Sequence, residues 1–306
     1  MGTNETGHLP QLAELVAMEQ PLAVRAEVET TMRMACPGLR TDRIREVFEH
    51  ILALFDGRVP GYRPCNTEYH NLQHTTDAFI AMARLVHGAV VDGNIFSEKN
   101  VELALIATIL HDVGYIQQEG DVGSGAKYTQ NHIDRSADFL ADHLRAHGFD
   151  DGDIADGRDM LACTGFTVRI PDIRFRSFES RIFGMMLGSA DLLGQMADRA
   201  YLEKISLLYR EFKEAKIPGI AEEIDLYLNT LSFYELTQKR FANDLGGVNR
   251  FMRSHFRARW GVDADLYAIS IERQMNYLRE ILEHFRPDYR KHLRRWRPIR
   301  KEDARQ

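Results

Sequence analysis

The sequence predicts an all-α protein. Apolar residues recur three and four apart through most of the chain between residues 40 and 285. Alternating apolar and polar runs bounded by turn dipeptides are absent. No internal repeat, low-complexity tract or Pro-, Gly- or Ser-rich linker divides the chain, so one helical domain is expected.

The elements follow in order. The stretch 40–55, RTDRIREVFEHILALF, brings Ile44, Val47, Phe48, Ile51, Leu52 and Phe55 to one face, with Thr41-Asp42 as a cap and Gly57 as a stop. A second helix is predicted from near His70 to Val91, ending at Asp92-Gly93-Asn94. A third starts after Ser97, whose hydroxyl caps it, and runs through VELALIATIL to His111. Its apolar residues cover more than one face, which assigns it to the core. Further helices are predicted over 131–147, 152–164, 176–198, 200–215, 221–245 and 264–285, with loops over 60–64, 120–125 and 167–172. The organisation expected is an N-terminal helical extension (1–39), a core (40–215), and C-terminal helices with a basic tail packed on it (216–306). The C-terminal helices either complete the domain or pair subunits of a homo-oligomer.

Composition excludes several classes. At 306 residues, 44% hydrophobic and 27% charged, the chain is neither disordered, collagen-like nor a disulfide scaffold. No apolar run reaches the ~18 residues of a membrane span; the longest, 103–110, ends at His111-Asp112. No secretory signal is read in the first thirty residues, and Cys36, Cys65 and Cys163 are scattered without a CxxC, so a reduced, cytoplasmic protein is expected. Residues 1–285 carry 30 basic and 42 acidic side chains, a net of −12. That acidic body argues against a nucleic-acid partner. The basic tail, 290–301, reads as a solvated end or a partner of the chain's own acidic surface.

Three stretches place ionisable residues inside apolar patterns. In Tyr69-His-Asn-Leu-Gln-His-Thr-Thr-Asp77, His70 and His74 are four apart and Asp77 three further on, one face of a helix. His111-Asp112 closes the most apolar helix, followed by Tyr115. Asp191 stands alone in Leu-Gly-Ser-Ala-Asp-Leu-Leu-Gly. A buried carboxylate or imidazole is costly unless paired or bound to an ion. Imidazole with carboxylate suits Mn, Fe, Mg or Zn, and the absence of nearby cysteine disfavours a zinc-thiolate site. His143 and His147 lie among Asp, Arg and Gly at a helix end and read as solvent-exposed. Met185, Met186 and the aromatics of 206–212 read as core.

Taken in that order, these motifs resemble the HD superfamily of metal-dependent phosphohydrolases. The first motif is similar to the HNxxH element of cyclic-nucleotide phosphodiesterases. The remaining context, with Tyr115, Asp134-Arg-Ser136-Ala137, Leu161-Ala-Cys-Thr164 and Ser189-Ala-Asp191-Leu-Leu-Gly194, looks closer to bacterial HD/PDEase-like hydrolases. The resemblance implies a compact multi-helix HD-domain bundle and a hydrolase of phosphoesters, acting on a nucleotide or other small molecule through metal-activated water. It implies one or two divalent ions, with His74, His111, Asp112 and Asp191 as ligands and Asp112 as the bridge to a second ion. His70 matches the general acid.

The chain departs from the phosphodiesterases where their HDxxH carries a second histidine; here that position is Tyr115. His132, Glu119 and Asp134 are the candidates to complete a second metal site. Arg135, Lys127 and Arg169 are the candidates to hold a phosphate. Two other readings are open: a non-catalytic module that binds a ligand or partner, and a di-iron oxygenase on the same scaffold.

Overall fold

The computed structural model describes residues 9–293, and the described residues are helical throughout, with no β-strand and a single isolated bridge between Tyr62 and Gln118. The α-helices are α1 (Leu12–Leu15), α2 (Pro21–Ala35), α3 (Asp42–Phe55), α4 (Leu72–Val91), α5 (Glu98–Leu110), α6 (His132–Ala146) and α7 (Asp151–Ala162). They continue with α8 (Phe178–Ala197), α9 (Tyr201–Glu214), α10 (Glu223–Asn243), α11 (Phe251–Trp260), α12 (Leu266–His284) and α13 (Tyr289–His292). No described helix is long and apolar enough to cross a membrane.

The predicted helices are present with ends shifted by a few residues. Two differences matter. Helix α11 lies in a stretch that carries no periodic prediction, because its Arg253, Arg257 and Arg259 interrupt the apolar spacing of Phe251, Met252 and Phe256. Helix α4 starts at Leu72, not His70, because the Asn71 side chain accepts the His74 backbone N–H and caps it there. His70 therefore precedes the helix.

Helix α4 is the axis of the domain. Every residue from His74 to Ala89 is buried, since α2, α5, α8 and α11 all pack against it. Such a helix needs no solvent-facing side, so its middle is apolar and even its polar residues, Thr75, Thr76, Asp77, Arg84 and His87, are buried. Helix α5 is buried in the same way from Leu103 to Leu110. The α4–α8 approach is closest at Gly194, where a Cβ would stand 2.9 Å from the backbone of Asp77 and Ala78. That contact brings the faces of α4 and α8 that carry His74 and Asp191 together. At its other end α4 meets α11 through Gly88, whose Cβ would fall 1.9 Å from the Phe251 carbonyl oxygen.

The apolar core runs continuously through these helices, and Met186 and Cys163 lie in it. Burial drives the Cys163 thiol up to about 12, so it is an inert filler there. The described part of the basic tail pairs with the protein's own surface: Arg290 holds Glu223 at 2.8 Å. The rest of that tail, like residues 1–8 of the N-terminal extension, lies outside the described residues.

Candidate metal centre

Three helices converge on one point. His74 comes from the first turn of α4, His111 and Asp112 from the end of α5, and Asp191 from the middle of α8. His74 Nε2 lies 3.1 Å from Asp112 Oδ2 and 3.1 Å from Asp191 Oδ1. His111 Nε2 lies 3.3 Å from His74 Nε2 and 3.4 Å from Asp112 Oδ2. All but Asp191 are buried, and Asp191 keeps partial exposure. His74, His111 and Asp112 have their ligand atoms close enough together to hold one ion.

The geometry fits a cation better than it fits mutual hydrogen bonding. Asp112 Oδ2 is buried among these nitrogens yet receives no well-aligned hydrogen bond. Ligand atoms that face a common centre, not one another, have this character. Burial alone would push the His74 imidazole down. The two neighbouring carboxylates outweigh it and raise the group to about 10. Asp112 is likewise pushed up by burial, but the His111 and His74 imidazoles beside it hold it well below the usual carboxylate range. The pocket thus favours positive charge at its centre.

The histidines are pinned from behind. His111 Nδ1 donates to the Thr108 carbonyl at 2.8 Å, and His132 Nδ1 to the Thr129 carbonyl at 2.8 Å. Each bond leaves Nε2 with its lone pair facing inward. His132 Nε2 lies 3.7 Å from Asp112 Oδ1, the oxygen that does not face His74. Asp112 therefore stands between two sets of imidazoles, one on each oxygen.

His70 reaches this site from the turn before α4. Its Nδ1 lies 2.6 Å from Glu211 Oε2, while Glu211 Oε1 accepts the Tyr69 backbone N–H at 2.6 Å. One buried carboxylate on α9 thus fixes both the turn and the ring it carries. Tyr115 stacks on two imidazoles: its ring lies 4.4 Å from His70 and 4.6 Å from His132 between centroids, and the two imidazoles are themselves 6.2 Å apart. The tyrosine that stands where the second histidine was expected thus packs against both rings.

Four residues singled out in the sequence are not brought to the centre of the site. Asp77 does not share the site; it lines a separate cavity and accepts from Gln73 Nε2 at 2.9 Å. Glu119 is exposed, and only its backbone N–H is engaged, with the Gly61 carbonyl. Asp134 is exposed on the outer side of α6. Arg135 is not free to hold a phosphate. Its Nε and Nη2 donate to the carbonyls of Gly114 and Ile116 at 2.6 and 2.9 Å, and its guanidinium lies 3.6 Å from the Tyr128 ring centroid. It clamps the 3₁₀ turn that follows Asp112, as does Ser136 Oγ by accepting the Gly114 N–H at 2.9 Å. Of the other phosphate candidates, Lys127 is paired with Asp121 and Arg169 with Asp172.

Glu211 escaped sequence reasoning because it sits in an amphipathic helix among other acids. A helical wheel of α9 offers a faint signal, since Ile205, Leu208 and Glu211 lie at three-residue spacing and Glu211 follows the apolar side.

Residues 119–245 are similar to a family described as Npun_R2479-like. That span includes His132, Asp191 and Glu211 but stops short of His74, His111 and Asp112. No curated protein and no solved structure matches the chain.

Proposed function

We propose that the protein is a metal-dependent phosphohydrolase acting on a small-molecule phosphoester, in keeping with the HD superfamily that its motifs resemble. The observation that carries this reading is the convergence of His74, His111, Asp112 and Asp191 around a buried, unbonded Asp112 Oδ2. These four would hold one divalent ion, and His132 with Asp112 Oδ1 would contribute to a second. Such an ion offsets charge on the phosphoryl oxygens and acidifies water near neutral pH.

The remaining chemistry belongs to the chain. In-line attack of water on phosphorus breaks the bond to the leaving oxygen, which needs a proton. With Nδ1 held by Glu211, His70 presents Nε2 to the site and donates that proton. Glu211 stabilises the imidazolium before the transfer and keeps the ring in one orientation. Tyr115 restrains the same ring from its face. Arg135 and Ser136 fix the turn that aims Asp112.

The test is elemental analysis of wild type and Asp112→Ala purified side by side, followed by turnover of a panel of nucleoside monophosphates and simple phosphoesters. One or two ions per chain, lost in the variant together with hydrolysis, is the expected result. A metal-free protein that stays inert after reconstitution with Mn or Fe would overturn the reading.

A further inference from the structure

A second cavity, of about 480 Å³, is lined by none of the proposed metal ligands. It opens where the start of α4 and the end of α8 meet α12 and the N-terminal segment around Gln11–Ala13. Its volume lies within the range of about 300–1,000 Å³ typical of small-molecule sites.

Arg199, Lys204 and Arg273 line it beside Glu19, Asp77 and Asp198, and a further, buried cation stands behind Tyr267 in the wall. Arg84, on α4, is fully buried, and its Nη1 donates to the Tyr267 hydroxyl at 2.8 Å. Its Nε and Nη2 meet no hydrogen-bond partner, and no carboxylate pairs with it among the described residues. The Phe256 and Tyr267 rings, each 5.5 Å from the guanidinium carbon, offset part of the cost of burying this cation, and no anion offsets the rest. Tyr267 lines the cavity. Because its oxygen accepts from Arg84, its own hydrogen remains to be donated, and the cation behind it makes that donor a strong one.

At the rim, Arg199 and Arg273 are exposed and make no hydrogen bond or ion pair among the described residues. Of the acids nearby, Asp198 is taken up by Lys204. Asp77, buried in the wall, accepts from Gln73 Nε2 at 2.9 Å, and burial pushes it well above the usual carboxylate range. Glu19 is the acid left at the rim. Gln274 spends its amide hydrogens on the carbonyls of Met196 and Asp198, so its oxygen is what it has to offer.

We propose that this cavity binds a small organic anion bearing phosphate or carboxylate groups, received by the Tyr267 hydroxyl with Arg84 behind it and by Arg199 and Arg273 at the rim. The site shares none of the proposed metal ligands, so variants of Arg199 and Arg273 test it apart from the metal centre.

Isothermal titration of the full chain with inorganic phosphate, AMP and citrate tests this. At least one probe is expected to bind with a dissociation constant below about 1 mM. The Arg199→Ala/Arg273→Ala double variant, both positions being exposed, is expected to weaken it about tenfold or more. Tyr267→Phe should weaken it as well, and Asp112→Ala should leave it unchanged. Tight binding of AMP but not citrate would identify phosphate as the recognised group, and the reverse would identify carboxylate. Failure of all three probes to bind, or equal binding by the double arginine variant, would overturn the proposal. Loss of binding in Asp112→Ala would also overturn it, by placing the anion at the metal centre and leaving that reading intact.

Discussion

The cage of His74, His111, Asp112 and Asp191 and the group formed by His50, His143 and His147 both bring imidazoles together between helices, and they are built on opposite terms. In the cage, imidazole nitrogens and carboxylate oxygens from three helices lie 3.1–3.8 Å from one another. In the second group the rings lie side by side: His143 stacks on His147 at 4.1 Å, and His50 leans on His143 and on Phe139 at more than 6 Å. No acid enters that group. Burial first, and then the neighbouring His147 and His50, push His143 down to about 4. The sequence reading of His143 and His147 as solvent-exposed is corrected by this packing, in which both are half-buried. The difference teaches that histidines at i and i+4 carry no ion-binding meaning by themselves. Carboxylates that keep positive charge welcome at the centre make the distinction, since a ring nitrogen bonded to a backbone carbonyl occurs in both groups, at His111 and at His147.

The largest break in that comparison should come from the acid at the centre of the cage. Asp112→Ala removes the group that faces both His74 and His132, so metal content should fall to background and hydrolysis by more than about 10³-fold. His143→Ala, made alongside, should retain metal and turnover. Equal metal content in both variants would dissolve the distinction between the two clusters.

Next in size is His70→Ala. With His70 in its proposed role of general acid, the loss should be about 10²–10⁴-fold in turnover, while the ions that His74, His111, Asp112 and Asp191 are proposed to hold should stay bound. Metal loss in this variant would make His70 a ligand instead. Glu211→Gln should act in the same direction but more weakly, by about tenfold, as outer partners of catalytic histidines do. It should also shift the acidic or basic limb of the pH–rate profile, which a purely structural carboxylate would not move. A drop in thermal stability with an unchanged profile would reduce Glu211 to a support for the turn at Tyr69.

How much of this was legible in the sequence depends on what surrounds each residue. His74, His111, Asp112 and Asp191 stand out together and in their order, each interrupting an apolar pattern; taken singly none would, since Asp77 and Arg84 are buried in the same helix α4 and lie outside the site. The helices themselves were legible for the same reason, since burial writes a period into the chain. Glu211 was not, because an acid in an amphipathic surface helix looks like every other acid until the fold turns it inward. Arg135 misled in the opposite way. A cation near a proposed phosphate site invites a ligand role, but which acceptors it reaches is set by the turn after Asp112, and nothing local in the sequence encodes that turn's carbonyls. His70 was assigned to a helical face by its four-residue spacing to His74, whereas the Asn71 cap moved the helix start past it.

The smallest effect expected is also the one that separates the clusters most cleanly, because their pH dependences have opposite signs. The His74 imidazole is raised in the fold, so its contribution to the metal-free protein is fully present below about pH 6.5 and is lost as pH rises through about 10. His143 is depressed from about 6.5 to about 4, so the unfolded chain takes up its proton first. Its contribution is present above pH 6.5 and is lost as pH falls towards 4. Its Nε2 is buried without a partner, so the protonated ring has no acceptor waiting for it. Thermal melts of wild type and His143→Gln between pH 7 and pH 4.5 should therefore converge: the variant starts lower by a degree or two and falls less steeply. Parallel curves would mean that His143 keeps an ordinary proton affinity in the fold and that this group is no more than an exposed pair.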